Sequence, residues 1–221
     1  VIYTYAGAGE FKIAIGGFAS LSQHQPYLAS SDYHSLSEIA VESADNQQIV
    51  EVGWTVDKSV NKGDSSPHLF VYHWVDGQGT CYNGCGFVQF STTRYPGMKV
   101  AVTSSPQQAA IKYSNGNWWV WYQNEWIGYF PGSAWSNNFT QAGLIQWFGE
   151  VASSQSQTCT DMGNGKFGTA IGSAVFSNMR ILLSPTTSEP ANTFSYVTQP
   201  SYYNLRSFQS SRFHYGGPGG C

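Results

Sequence analysis

Short alternating runs of apolar and polar residues recur along the whole chain, broken by Gly, Asn, Ser and Pro. Successive side chains of a strand point to opposite faces, so an alternation of period two marks a strand with one buried face. The clearest case is residues 48–56. Val50, Val52, Trp54 and Val56 fall on one face, and Ile49, Glu51, Gly53 and Thr55 on the other. Similar runs predict strands over residues 10–19, 37–42, 68–75, 86–90, 100–103, 110–114, 144–151 and 174–183, and in the tail 201–213. Residues 20–35 read as a loop. The Trp-rich residues 117–129 read as a strand pair or one long strand, and a short helix is an alternative at 107–112. Strands every 10–15 residues or so are the mark of a sandwich or barrel. No internal repeat and no linker-like shift divides the chain, which predicts one domain over residues 1–221.

Composition agrees with an all-β fold. Only 10% of the 221 residues are charged, too few for the solvated faces of long helices. Aromatics at 16% and 24 glycines suit closely packed strands joined by tight turns. A chain of this length buries about 70% of its unfolded surface, so its core needs no metal to hold it. Ten basic residues against 13 acidic ones give a net charge of −3, with no basic cluster. Nucleic acid is therefore excluded as the main partner, because phosphate binding needs a basic face. No apolar run approaches the roughly 18 residues of a membrane span, so no membrane partner is expected. So few carboxylates and basic groups leave few ion pairs to lose as pH falls, which predicts acid tolerance. The first residues, Val1-Ile2-Tyr3-Thr4-Tyr5, read as a mature or trimmed N-terminus.

Four cysteines, Cys81, Cys85, Cys159 and Cys221, allow three pairings. Cys81 and Cys85 bound a short loop that can close on itself. Cys221 is the last residue, where a disulfide would anchor the tail. The favoured pairing is thus Cys81–Cys85 with Cys159–Cys221. A zinc site is the rival, but no close Cys or His pair accompanies Cys159 or Cys221. Disulfides imply an oxidising, extracellular compartment. The lone sequon Asn138-Phe139-Thr140 adds little to that.

Among seven Glu and six Asp, most of the aspartates lie in expected turns. Glu51 and Glu150 instead interrupt apolar strands, in Ile49-Val50-Glu51-Val52-Gly53-Trp54 and Phe148-Gly149-Glu150-Val151. A carboxylate there either faces water or sits in a partly buried site, where desolvation and a second carboxylate raise its pKa. Two such groups sharing one proton can do acid and base work together. Glu125, in Gln123-Asn124-Glu125-Trp126, is a third candidate with the same ambiguity. The five histidines, His24, His34, His68, His73 and His214, form no metal-ligand spacing and read as ordinary polar residues. Gly-x-Ser-x-Gly is absent, and the Gly-rich segments read as turns. No cofactor or metal is expected.

Segments along nearly the whole chain resemble the neprosin family of secreted glutamic peptidases. They are Phe18-Ala19, Ser35-Leu36-Ser37-Glu38-Ile39, Val50-Glu51-Val52-Gly53-Trp54-Thr55-Val56 and Leu69-Phe70-Val71-Tyr72-His73-Trp74. Asp76-Gly77, Cys81-Tyr82-Asn83, Cys85-Gly86-Phe87-Val88-Gln89 and Ile127-Gly128-Tyr129-Phe130-Pro131 follow. Phe148-Gly149-Glu150-Val151, Met162-Gly163-Asn164-Gly165-Lys166-Phe167 and Tyr215-Gly216-Gly217-Pro218-Gly219-Gly220-Cys221 complete the series. Trp is more usual than Phe130, and the family's pro-segment does not precede Val1, as in a processed or pro-segment-free member.

The resemblance implies an antiparallel β-sandwich with a concave cleft. Its two catalytic glutamates fall on Glu51 and Glu150, the residues the alternation had singled out. Thr55 would then face the groove beside Glu51, Gly53 would leave room for a substrate backbone, and Gln146 would share the face of Glu150. Tyr72 and Gln89 are expected neighbours able to donate hydrogen bonds. The implied activity is acid endopeptidase cleavage, preferably after proline, with proline-containing peptides as substrate and the chain a monomer. Trp119 and Trp121 alternate onto one face and are the candidates for an aromatic proline pocket. The working assignment has Glu51 as acid and Glu150 as base. Residue chemistry alone leaves an alternative, a retaining β-sandwich glycosidase using the same two glutamates.

Overall fold

The computed structural model describes residues 1–221. Two antiparallel sheets carry almost all regular structure. The strands are β1 (Ile2–Ala14), β2 (Gly16–Gln23), β3 (His34–Glu42), β4 (Ile49–Val56), β5 (His68–Val75), β6 (Gln78–Gly79), β7 (Val88–Gln89) and β8 (Thr103–Ser114). They continue with β9 (Asn117–Tyr122), β10 (Glu125–Pro131), β11 (Ala142–Ser153), β12 (Ala174–Leu182), β13 (Ser188–Pro190), β14 (Phe194–Val197), β15 (Asn204–Gln209) and β16 (Arg212–Gly216). The first sheet has the order β14-β1-β11-β3-β4-β5-β6. The second runs β15-β16-β12-β2-β8-β9-β10-β7, with β13 on β12.

The sheets face each other across one apolar core. Val50, Val52, Trp54 and Val56 all point into it, as their alternation predicts. Ile39, Val41, Ile145 and Trp147 join them from β3 and β11, and Ile111, Trp118, Val120 and Phe176 come from the second sheet. Buried indoles need a partner for N–H. Trp54 donates to the Ser22 carbonyl at 2.9 Å and Trp147 to that of Phe18 at 3.3 Å, so both tie the first sheet to β2. Ser37 faces the same core and meets the Tyr215 hydroxyl.

Several local expectations change, and residues 20–23 are strand while 100–102 are not. The strand predicted over 10–19 is two strands, because the chain leaves the first sheet at Ile15 and enters the second at Gly16. There a Cβ would lie 2.0 Å from the Ile111 carbonyl oxygen, so only glycine fits. Residues 107–112 are β-strand, not helix, held between β2 and β9. Residues 117–129 are a hairpin turning at Gln123 and Asn124, whose φ values of 45° and 68° are those of a tight hairpin turn.

Both disulfides form as expected, Cys81–Cys85 and Cys159–Cys221. The first closes the loop after β6. Asn83 ties that loop to β5, its N–H donating to the Val71 carbonyl and its Oδ1 accepting from the Val71 N–H. The preceding Tyr82 is thereby laid against Phe70 and Tyr72, with ring centroids 5.7 and 4.8 Å away.

Candidate active site

The outward face of the first sheet is a groove lined with acids and aromatics. Register decides its membership. Glu150 on β11 stands opposite Tyr5 on β1 and Leu36 on β3. Glu51 on β4 stands opposite Ala40 on β3 and Tyr72 on β5. Both glutamates therefore project from the same face, with β3 between them. Two adjoining cavities of about 360 Å³ each share Tyr5, Glu38, Glu51, Trp74 and Glu150 in their walls. Tyr72 and Tyr82 border one cavity, and Gln146 and Tyr196 the other.

The two glutamates sit in different surroundings. Glu51 accepts one hydrogen bond, from the Trp74 indole N–H at 2.9 Å. Burial, and then the charge of Glu150, push its pKa up to about 8. A neutral carboxylic acid at pH 5–7 is the result. Glu150 has a histidine beside it: His34 Nε2 lies 2.6 Å from Glu150 Oε1, and both residues are buried. The other ring nitrogen of His34 faces Asp57 Oδ2 at 3.8 Å. Asp57 accepts from the backbone N–H of Ser59 and from its hydroxyl. Burial raises the Tyr5 phenol, and the negative charge of Glu150 raises it further.

Gln146 lies in the groove as expected. Its amide donates to Glu42 Oε1 at 2.6 Å and its carbonyl accepts from the Tyr196 hydroxyl at 2.8 Å. Tyr72 is also there, 5.9 Å from Trp74 between ring centroids. Four other expectations are corrected. Gln89 is on β7 at the edge of the second sheet, exposed, its amide spent on the Ser91 carbonyl. Trp119 and Trp121 lie on the outward face of the second sheet, on the far side of the core from both glutamates, and pack with Tyr129 and Trp126. Thr55 shares the face of Glu51 but is fully buried, and its hydroxyl has no protein partner. The space over Gly53 is filled by β3: a Cβ there would meet the Ser37 carbonyl oxygen at 2.0 Å and the Glu38 Cα at 2.8 Å. Glycine at 53 serves strand packing, not a substrate backbone. Glu125 is a surface residue, 3.0 Å from Arg94.

Several groove residues escaped the sequence analysis. His34 was read as ordinary, because nothing in a single sequence pairs residue 34 with residue 150. Glu38 and Glu42 share a parity on β3, a signal that puts them on one face without saying which. Tyr82 is placed by the disulfide loop, and Trp74 by β5. No group of three or more His, Cys, Asp or Glu side chains is arranged to hold a metal ion, and no helix is long and apolar enough to cross a membrane.

The chain is a β-sandwich with two glutamates on the outward face of one sheet, and comparison with solved structures gives the same architecture. The chain aligns with scytalido-glutamic peptidase in complex with a peptide-based transition-state analogue at a TM-score of 0.54 and 9% identity, covering 97% of this chain and 98% of that one. It aligns with another peptidase of the eqolisin family, bound to a tripeptide, at a TM-score of 0.55, 8% identity and the same coverage. At that identity the likeness is one of fold. The family is shown by sequence: the neprosin model matches residues 31–218, and the chain belongs to the neprosin family.

Proposed function

We propose that the protein is a secreted acid endopeptidase in which Glu150 and Glu51 activate a water without metal or covalent intermediate. The observation that carries this is the unequal pair: two glutamates on one face, one desolvated against an indole, the other held by a histidine. Glu150 is the base. The His34 N–H orients its carboxylate, which takes a proton from water as the oxygen attacks the scissile carbonyl carbon. Glu51 is the acid. Its O–H binds the carbonyl oxygen as negative charge develops there, and then protonates the leaving amine. The proton gained by Glu150 restores the starting state once it is passed to Glu51. The cycle needs one proton on the pair, so activity is lost as pH rises and Glu51 ionises.

Proline preference is assigned to a different surface from the one the sequence pointed to. Tyr72, Trp74 and Tyr82 form an aromatic wall beside Glu51, and a proline ring, which has no N–H to satisfy, stacks on such a wall. Two disulfides and the absence of free cysteine support an oxidising compartment.

The test is digestion of a proline-containing peptide library between pH 3 and 7, read by mass spectrometry, for the parent and Glu150→Gln. Acid-optimal cleavage after proline that vanishes in the variant is expected. Cleavage without proline preference removes the aromatic-wall assignment. An inactive parent that instead releases reducing sugar from polysaccharides replaces the peptidase by the glycosidase.

A further inference from the structure

One carboxyl in the groove has no task in the scheme above. Glu38 stands on β3 opposite Phe148 of β11 and Gly53 of β4. Glu150 is opposite Leu36, two residues to one side along β3, and Glu51 is opposite Ala40, two residues to the other. Glu38 is thus the diagonal neighbour of both, and diagonal neighbours on one sheet face lie about 7–8 Å apart. It occupies the middle of the line from Glu150 to Glu51. It is only 3% exposed, yet it borders both cavities. Its carboxyl accepts no hydrogen bond from the protein and opens instead onto the two cavities.

We propose that Glu38 is a third member of the catalytic group, orienting the attacking water between Glu150 and Glu51. This rests on the peptidase reading. The water donates one O–H to the Glu150 carboxylate and the other to the Glu38 carbonyl oxygen, leaving a lone pair free for the scissile carbonyl. The Glu38 O–H donates towards Glu51, completing a chain across the groove floor. No bond to Glu38 is made or broken, and its proton stays in place through the cycle.

The arrangement requires Glu38 to be neutral, and its surroundings keep it so. Burial first, and then the charges of Glu51, Glu150 and Glu42, hold its pKa well above the usual carboxylate range. The phenols of Tyr5, Tyr82 and Tyr196 face it from β1, the disulfide loop and β14, and carry no charge in this range. The basic side chain in the groove wall is His34, which is engaged by Glu150, and Val1 borders one of the two cavities. Ionisation of Glu38 removes the donor towards Glu51 and adds negative charge beside the base, which ends turnover as pH rises.

The experiment compares kcat and KM from pH 3 to 8 for the parent, Glu38→Leu and Glu38→Gln. Leucine has no polar atom, so kcat is expected to fall about 10²-fold with KM changed less than about threefold. Glutamine supplies a carbonyl oxygen and an N–H without a charge to gain. It is expected to recover most of that loss and to carry activity to higher pH. Parent-like kcat in Glu38→Leu overturns the proposal, as does a Glu38→Gln variant as slow as leucine or with the parent's alkaline limb. Infrared spectroscopy gives a readout free of activity and of the leucine variant's folding. At pH 6 a carboxylic-acid C=O component additional to that of Glu51 is expected, and this component disappears in Glu38→Gln. A parent that cleaves peptides but lacks this band overturns the role of Glu38 alone; a parent that shows the band but cleaves no peptide overturns the peptidase reading.

Discussion

Glu51 and Glu125 both sit in aromatic β-strands, and the fold treats them oppositely. Glu51 opens into the groove of the first sheet, where burial and Glu150 push its pKa up to about 8. Glu125 lies at the hairpin end of β10 in the second sheet. Ser91 and Thr93 hydroxyls donate to it and Arg94 lies 3.0 Å away, so its pKa is held below the usual range. The aromatic faces differ in the same sense. Tyr72, Trp74 and Tyr82 enclose acids in the groove. Phe90, Trp119 and Trp126 form an open shelf whose nearest charges, Lys112 and Glu125, are at its rim. A carboxylate becomes reactive through what surrounds it, not through the strand that carries it.

The sharpest break of this contrast is substitution at the candidate pair and at Glu125. Glu150→Gln and Glu51→Gln are each expected to lower kcat by about 10³-fold or more on a peptide substrate with the fold retained by circular dichroism. Glu125→Gln is expected to leave kcat alone. A comparable loss from Glu125→Gln would erase the distinction between the two sheets. His34→Phe should lower kcat about tenfold, because the base loses the N–H that orients its carboxylate. An unchanged kcat would detach His34 from the chemistry.

Next is stability against pH. Raised carboxyl pKa values, as at Glu38, Glu42 and Glu51, mean the folded state holds protons that the unfolded state releases. Their contribution is complete below the ordinary carboxyl range and is lost as pH rises through each raised value, about 8 for Glu51. Asp32, Asp45, Asp64 and Asp76 have lowered values and act in reverse, contributing above about pH 4 and losing it in stronger acid. Chemical denaturation should therefore give the greatest stability near pH 4–5 and a fall of about 1–3 kcal/mol by pH 8. That fall should be smaller in Glu51→Gln. A stability that rises steadily from pH 5 to 8 would contradict the buried acids. The smallest effect belongs to the shelf: Trp119→Ala with Trp121→Ala should leave the preference for cleavage after proline unchanged within about twofold. A lost preference would return the proline pocket to the second sheet.

Much of this molecule was legible in its sequence. The alternation at residues 48–56 placed Glu51 on the face opposite the core, and it is there, because a strand has only two faces and four large apolar side chains claim one of them. Cys81–Cys85 and Cys159–Cys221 followed from spacing. The segment containing Glu150 could be recognised for the same reason as that of Glu51, a charge inside an apolar run. Pattern along one strand, however, says nothing about which strands lie side by side. The pairing of β11 with β3 over more than 100 residues brought His34 to Glu150 and set Glu38 midway between two glutamates. The same topology moved Trp119, Trp121 and Gln89 to the other sheet. Local sequence determined which side chains turn away from the core. Register and sheet order, which arise from contacts distant along the chain, decided which of them meet and what charge each can carry.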